Sequence, residues 1–294
     1  MKLIRNLFIS IFILFLFFWS CGSSLKEDLI VLYKLPKSLK EVSGIAITDN
    51  LTWVIEDAGN KNKIYGLTEK GKIEIESKVS NIDNIDWEDL TTDTKGNLYI
   101  GDFGNNENER KDLCIYSIDK SNLKKDIISV DKTTFSYPEQ TKFPPKKKDL
   151  LFDCEAFFEW DGNFYLFTKN RSKNFDGTCL VYKIANQKGE QKAELISSFK
   201  TCTNDNNCTI TSAAINSNGT KVVLLTHDAV FLFENFKGDD FTNGTMKKLE
   251  LNHVSQKESI CFKDDATLLI ADERNGKLDG NVYEVKLTDL KSKS

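Results

Sequence analysis

The chain has 294 residues, 40% of them hydrophobic, and a formal net charge of −4. That length suits one large domain with a sizeable core. The acidic balance excludes a nucleic-acid partner, because no basic stripe is available to neutralise phosphates. The one basic run, Lys146-Lys147-Lys148 after Pro144-Pro145, reads as a solvated loop.

In chain order, residues 1–20 come first and read as an export signal. Lys2 and Arg5 form a basic start, and Leu7 to Trp19 is apolar but for Ser10, long enough for a signal segment and short for a membrane span. Ser20-Cys21-Gly22 follows. This resembles a bacterial lipoprotein signal peptide, which implies that Cys21 is lipidated (palmitate among the acyl groups) and becomes the N-terminus. Phe18 stands where the pattern usually has leucine. An ordinary secretory signal with a chance cysteine is the competing reading. Residues 21–28 then serve as a lipidated tether, and the implied location is the bacterial cell envelope, anchored in a membrane and facing periplasm or cell surface. Cysteine usage agrees with export: Cys202 and Cys208 flank a short polar loop and are a plausible disulfide, while Cys114 and Cys261 read as buried thiols. With two histidines, His227 and His253, and no C-x-x-C pair, a zinc site is improbable.

Residues 29–290 carry a repeat, the main signal in the chain. Five segments share a plan: a short strand opening on Ser or Glu, a strongly apolar strand ending in polar residues, and a third strand with tyrosine or phenylalanine. Their first strands begin at Val42-Ser43-Gly44, Trp87-Glu88-Asp89, Cys154-Glu155-Ala156, Thr211-Ser212-Ala213 and Lys257-Glu258-Ser259. Turns such as Lys95-Gly96-Asn97, Asp161-Gly162-Asn163 and Asn218-Gly219-Thr220 separate first strands from second. Fourth strands are placed at Lys72–Lys78, Thr133–Tyr137, Ala193–Phe199 and Lys247–Asn252, and Leu29–Leu35 supplies the one the last segment lacks. The expectation is an all-β, five-bladed β-propeller with four antiparallel strands per blade, its last blade closed by an N-terminal strand. A six-bladed ring with a degenerate blade within Asp119–Phe152 is the alternative, and a monomer is expected.

The first strand of each blade lines the central channel of a propeller, so equivalent positions converge there. Aligned repeats superpose Ser43, Glu88, Glu155, Ser212 and Glu258. Three carboxylates in a narrow channel raise one another's pKa unless a cation sits among them, and Ca²⁺, a hard ion taking six to eight oxygens, suits this donor set. Glutamates bonded to backbone amides without metal are the competing reading.

The order Ser, Glu, Glu, Ser, Glu, one per blade at short, long, medium and short intervals, resembles the calcium-activated nucleotidases, the five-bladed apyrases. Local text agrees at Glu41-Val42-Ser43-Gly44-Ile45, Trp87-Glu88-Asp89-Leu90 and Lys257-Glu258-Ser259-Ile260. The chain also resembles bacterial propellers, some labelled phytase-like or esterase-like, that carry Asp-Trp-Glu-Asp, here Asp86 to Asp89, and Gly-Asp-x-Gly-Asn-Asn, here Gly101 to Asn106. The family's acidic N-terminal loop has no counterpart in the twenty or so residues before Glu41, and its basic pair in the third blade is partly kept as Lys169-Asn170-Arg171. The resemblance implies a calcium-dependent hydrolase of phosphoanhydrides or phosphoesters, its substrate a phosphate-bearing small molecule or envelope component. Asp57 or Asp102 would take a proton from water, and Lys169, Arg171 and Arg274 would hold phosphate charge. The alternative is a non-catalytic, calcium-stabilised binding module for an envelope glycan, peptide or protein, with Trp53, Trp87 and Trp160 as possible sugar platforms. No nucleophile elbow or Gly-rich phosphate loop is present.

Overall fold

The computed structural model describes residues 29–202 and 206–292. The signal segment 1–20, the tether 21–28 and the lipidation candidate Cys21 lie outside the described residues. Among those residues, no helix is long and apolar enough to cross a membrane.

The strands assemble into five separate sheets, each a blade. Blade 1 runs Val42–Thr48, Leu51–Glu56, Lys63–Leu67 and Ile73–Val79; blade 2 runs Trp87–Thr92, Leu98–Asp102, Cys114–Ile118 and Asp131–Ser136. Blade 3 runs Asp153–Trp160, Asn163–Lys169, Thr178–Ala185 and Glu194–Lys200. Blade 4 runs Ser212–Ile215, Lys221–Leu225, Ala229–Glu234 and Thr245–Glu250. Blade 5 takes Lys257–Phe262, Thr267–Asp272 and Asn281–Lys286 from its own segment and Ile30–Lys34 from the start of the domain, which pairs antiparallel with Asn281–Lys286. The closing strand therefore stands where the sequence placed it. The Asp119–Phe152 region holds no sixth blade: it contributes the outer strand of blade 2, two single 3₁₀ turns, and Ile127–Ile128, which pairs parallel with the edge of blade 1. Similar edge strands, Gly189–Lys192 on blade 2 and Lys291–Ser292 on blade 4, were not foreseen.

Blades pack face to face, and five apolar clusters fill the five gaps between neighbours. Successive residues of a strand point to opposite faces, so one strand feeds two cores. In blade 2, Leu98 and Ile100 pack toward blade 1 while Tyr99 packs toward blade 3. In blade 3, Phe157 faces blade 2 and Phe158 faces blade 4. Burial on both faces explains why these strands read as unbroken apolar runs rather than alternating ones. Aromatic edges lock the blade 2–blade 3 gap, with Phe103 and Phe157 centroids 5.2 Å apart and Tyr99 and Phe164 5.1 Å apart.

A polar belt ties the inner strands across the channel. Asp89 of blade 2, fully buried, accepts from Phe157 N of blade 3 at 3.1 Å, Ala213 N of blade 4 at 3.3 Å and Ser212 Oγ at 2.9 Å. Ser212 Oγ in turn accepts from Ile260 N of blade 5 at 3.0 Å, and Ser259 Oγ accepts from Ile45 N of blade 1 at 2.6 Å. Hydrogen bonds of one kind or another thus link all the blades around the axis, and satisfy amides that the channel would otherwise leave bare.

Candidate metal centre

Four of the inner strands start with a β-bulge. Ladder pairing skips Ser43, Glu88, Glu155 and Glu258, each lying between two residues that do pair. An extra residue in a bulge is released from the ladder and re-aimed. The bulge is the local reason these side chains turn to the channel mouth. Blade 4 has no bulge, since Ser212 pairs regularly with Leu225.

The five aligned residues share a strand position but meet different partners. Glu88 joins Asp57 and Asp86, with one oxygen from each within 4.8 Å of the others. Ser43 Oγ is buried and meets no hydrogen-bond partner. Glu155 accepts from Lys169 Nζ at 3.0 Å and from Arg171 at 2.6 Å. Ser212 is spent on the belt with Asp89. Glu258 lies 3.4 Å from His227 Nε2.

Asp57 ends the second strand of blade 1, where its N–H bonds Glu41 O at 2.8 Å, and Asn84 Nδ2 holds the backbone of Glu56 and Asp57 against blade 2. Asp86 precedes Trp87, its N–H donating to Asp102 Oδ1 at 3.2 Å. Arg110 braces this wall by bonding Asp102 Oδ1 at 2.9 Å and Gly104 O at 2.8 Å. A Cβ at Gly104 would overlap both Glu88 Oε1 and Asp86 Oδ2, so glycine here lets the chain lie against the two carboxylates without displacing their tips. Asp102 itself is fully buried, and its second oxygen has no partner.

Charge is unevenly compensated. Burial, and then the charges of Glu155, Asp57 and Asp86, push the Glu88 carboxyl well above its usual range. Burial and the Asp57 charge raise Asp86 to about 7, against the pull of Arg110. Burial, with Glu155 and Glu258, raises Asp57. Facing them, burial also disfavours a charged Glu155, but Lys169 and Arg171 more than offset it and bring that carboxyl below its usual range. Arg171 also bonds Asp153 at 2.6 Å; burial beside Glu155 still raises Asp153 to about 8. The site therefore pairs a carboxylate cluster short of positive charge with a Lys/Arg pair that is already neutralised. Glu273, at the end of the blade 5 second strand, is raised to about 7 by burial and by Glu258 and Asp57. Arg274 Nε is buried and bonds no described residue. Next to Glu258, the fully buried Lys257 spans from His227 O at 3.0 Å to His253 O at 2.7 Å and fixes the blade 4–blade 5 loops.

These donors fit a hard divalent cation. The cluster is all oxygen, its electrostatic cost is relieved by positive charge, and the glycine cradle holds two of the oxygens in place. By fold this is a five-bladed β-propeller. An aldose sugar dehydrogenase from Streptomyces coelicolor, in its PQQ-bound form, matches with a TM-score of 0.53 and 9% identity, over 88% of this chain and 98% of that one. A nidogen/laminin complex matches at 0.46 and 10% identity, over 87% and 79%, and a 6-phosphogluconolactonase candidate from Bacteroides uniformis at 0.40 and 11%, over 85% and 69%. No protein-family model matches the chain, and no curated protein matches it by sequence. Likeness at 9% identity is likeness of fold.

Sequence reasoning put Asp57 at the site but passed over Asp86, Asp89 and Asp153 as functional groups. A signal for two of them was present. Asp86 and Asp153 each stand two residues before the aligned glutamate of their blade, as Glu41 does before Ser43, and a period of two returns a strand to the same side. Trp53 and Trp87 are fully buried core residues, so neither is a sugar platform.

Proposed function

We propose that the chain is a lipid-anchored propeller of the bacterial cell envelope that holds calcium among Asp57, Asp86 and Glu88 and hydrolyses a phosphoanhydride or phosphoester at that mouth. The observation that carries this reading is the three-carboxylate cluster within 4.8 Å, facing a Lys169/Arg171 pair across the channel. Calcium held there would bind phosphate oxygens and draw electron density from phosphorus. Arg274, whose Nε bonds no described residue, would meet the remaining phosphate charge. Lys169 and Arg171 add to that field but are anchored by Glu155 and Asp153. Asp102 is enclosed and bound to Arg110, so it positions Asp86, and Glu273 is the rim carboxylate suited to take a proton from water. Glu258 with Ser43 completes the oxygen lining of the mouth.

One observation favours a second reading, a calcium-stabilised binding module without catalysis. Lys169 and Arg171 are already ion-paired, which leaves little free positive charge to stabilise a transferring phosphoryl group. Purified residues 22–294 assayed with nucleoside diphosphates, phytate and simple phosphomonoesters, in calcium and then in chelator, separate the two. Calcium-dependent turnover that Glu88→Gln abolishes supports hydrolysis. Stabilisation by calcium with no turnover on any substrate selects the binding module.

A further inference from the structure

The ring residues open their strands; the strands' other ends open a second hollow. It encloses about 620 Å³ between the last residues of the inner strands, on the far side of the Asp89–Ser212 belt from the carboxylates. Leu90, Ala214 and Ile260 form its floor, and Trp160 and Phe262, both partly exposed, stand at its side. The rim is charged, and its acids are held in place by hydrogen bonds that turn them to their own loops. Asp93 accepts from Lys95 N, Asn97 N, Asn97 Nδ2 and Tyr99 OH; Asp264 accepts from Ala266 N and Thr267 N. Glu159 is buried and bonded to Gly162 N.

Two of the rim lysines differ, while the third, Lys263, is ion-paired with Glu284. Lys95 and Lys120 both line the hollow, and neither amine makes an ion pair or hydrogen bond with any described residue. They sit on two neighbouring turns held together: Lys120 N bonds Asn97 Oδ1 at 3.1 Å, and Lys120 Nζ lies 3.4 Å from where a Gly96 Cβ would sit. The hollow therefore offers a partly exposed indole, an apolar floor and two unused ammonium groups at one side. Sugar rings stack a C–H face on an indole, and ammonium groups select an anionic substituent.

We infer that this second mouth binds a monosaccharide-sized ring bearing one anionic group, a carboxylate or a phosphate. The site shares no side chain with the metal centre, so it stands whether or not calcium is bound there.

Tryptophan fluorescence is the readout, because Trp53 and Trp87 are fully buried and Trp160 is not. The protein is titrated with glucuronate, glucose 6-phosphate and glucose. A saturable change with an anionic sugar, at least about tenfold tighter than with glucose, is expected. Glucuronate against glucose 6-phosphate tells carboxylate from phosphate. The Lys95→Gln/Lys120→Gln double variant, altered only at the rim, should weaken binding about tenfold. Trp160→Phe should remove the optical signal while calorimetry still detects binding. Glu88→Gln should leave the affinity unchanged, which separates this inference from the metal reading. No saturable change with any of the three sugars, equal affinity for glucose, or a double variant that binds like the parent overturns it.

Discussion

Removing the cation while raising the pH should destabilise the propeller in a way that the carboxylate cluster makes calculable. Asp86 is held at about 7, against 3.8 for an ordinary aspartate, first by burial and then by the Asp57 charge. Glu88 and Asp57 are displaced in the same direction. A folded-state pKa above the unfolded value means the folded chain holds the proton more tightly. The resulting stability is full below about pH 4 and is lost as pH rises through 7. Three units correspond to about 4 kcal/mol, and solvent screening of a partly exposed group leaves about half of that. About 2 kcal/mol moves the melting temperature of a domain this size by roughly 4–8 °C. Glu155 is displaced the other way, burial being outweighed by Lys169 and Arg171; its contribution is lost only as pH falls below the ordinary glutamate range, outside this window. A bound calcium ion replaces the proton and favours the charged cluster. Melting in chelator should therefore fall by at least that amount between pH 4 and 8, because Glu273 and Asp153 are raised into the same interval, and the gap between calcium and chelator should widen as the cluster ionises. The assay is thermal unfolding at half-unit pH steps in 1 mM calcium or chelator, a concentration on the order of those that fill such sites. A gap that is absent, or constant with pH, refutes the assignment of the cation to these carboxylates.

Other substitutions probe the supporting structure. Gly104→Ala places a methyl against Glu88 and Asp86; the calcium-dependent shift in melting should collapse while the melting point in chelator changes little. Asp89→Ala strands Phe157 N, Ala213 N and Ser212 Oγ in the channel. At about 1–2 kcal/mol per stranded group this costs roughly 3–6 kcal/mol, read as a fall of roughly 6–24 °C, and a loss under about 3 °C would deny the belt its role. Reduction of the Cys202–Cys208 bond, which closes a separation of 6 residues, should cost about 2 kcal/mol by loop entropy; an unchanged melting point in reductant argues that the loop is held by its contacts alone.

The fold was legible because the propeller is a local plan repeated. Each blade's first three strands follow one another in sequence, and burial on both faces marks them as apolar runs that no loop would carry. The closing strand was legible for a negative reason: blade 5 lacked its own fourth strand. The edge strands were not. Ile127–Ile128 is two residues long, and Gly189–Lys192 is polar and exposed, so neither has a hydrophobic pattern to betray it. The Cys202–Cys208 bond and the buried thiols of Cys114 and Cys261 were expected from the sequence and are present.

The site was legible to the level of the strand position and no further, for a physical reason. Alignment equates backbone positions, but a side chain's role depends on what the neighbouring blades present to it. Ser212 and Ser43 are equivalent by repeat, yet Ser212 meets Asp89, 123 residues away, while the Ser43 hydroxyl meets nothing. Glu88 and Glu155 are likewise equivalent. One stands among carboxylates and is pushed toward protonation; the other lies between Lys169 and Arg171 and is held ionised. Five-fold repetition sets out five similar positions, and sequence divergence at the loops that follow the second strands makes them electrostatically unlike. That asymmetry gathers the uncompensated carboxylates off the axis, on the side of blades 1 and 2, where Asp57, Asp86 and Glu88 converge. It leaves blade 3 as a wall whose Lys169 and Arg171 are already paired with Glu155 and Asp153, so the uncompensated charge of the mouth lies on the blade 1–blade 2 side.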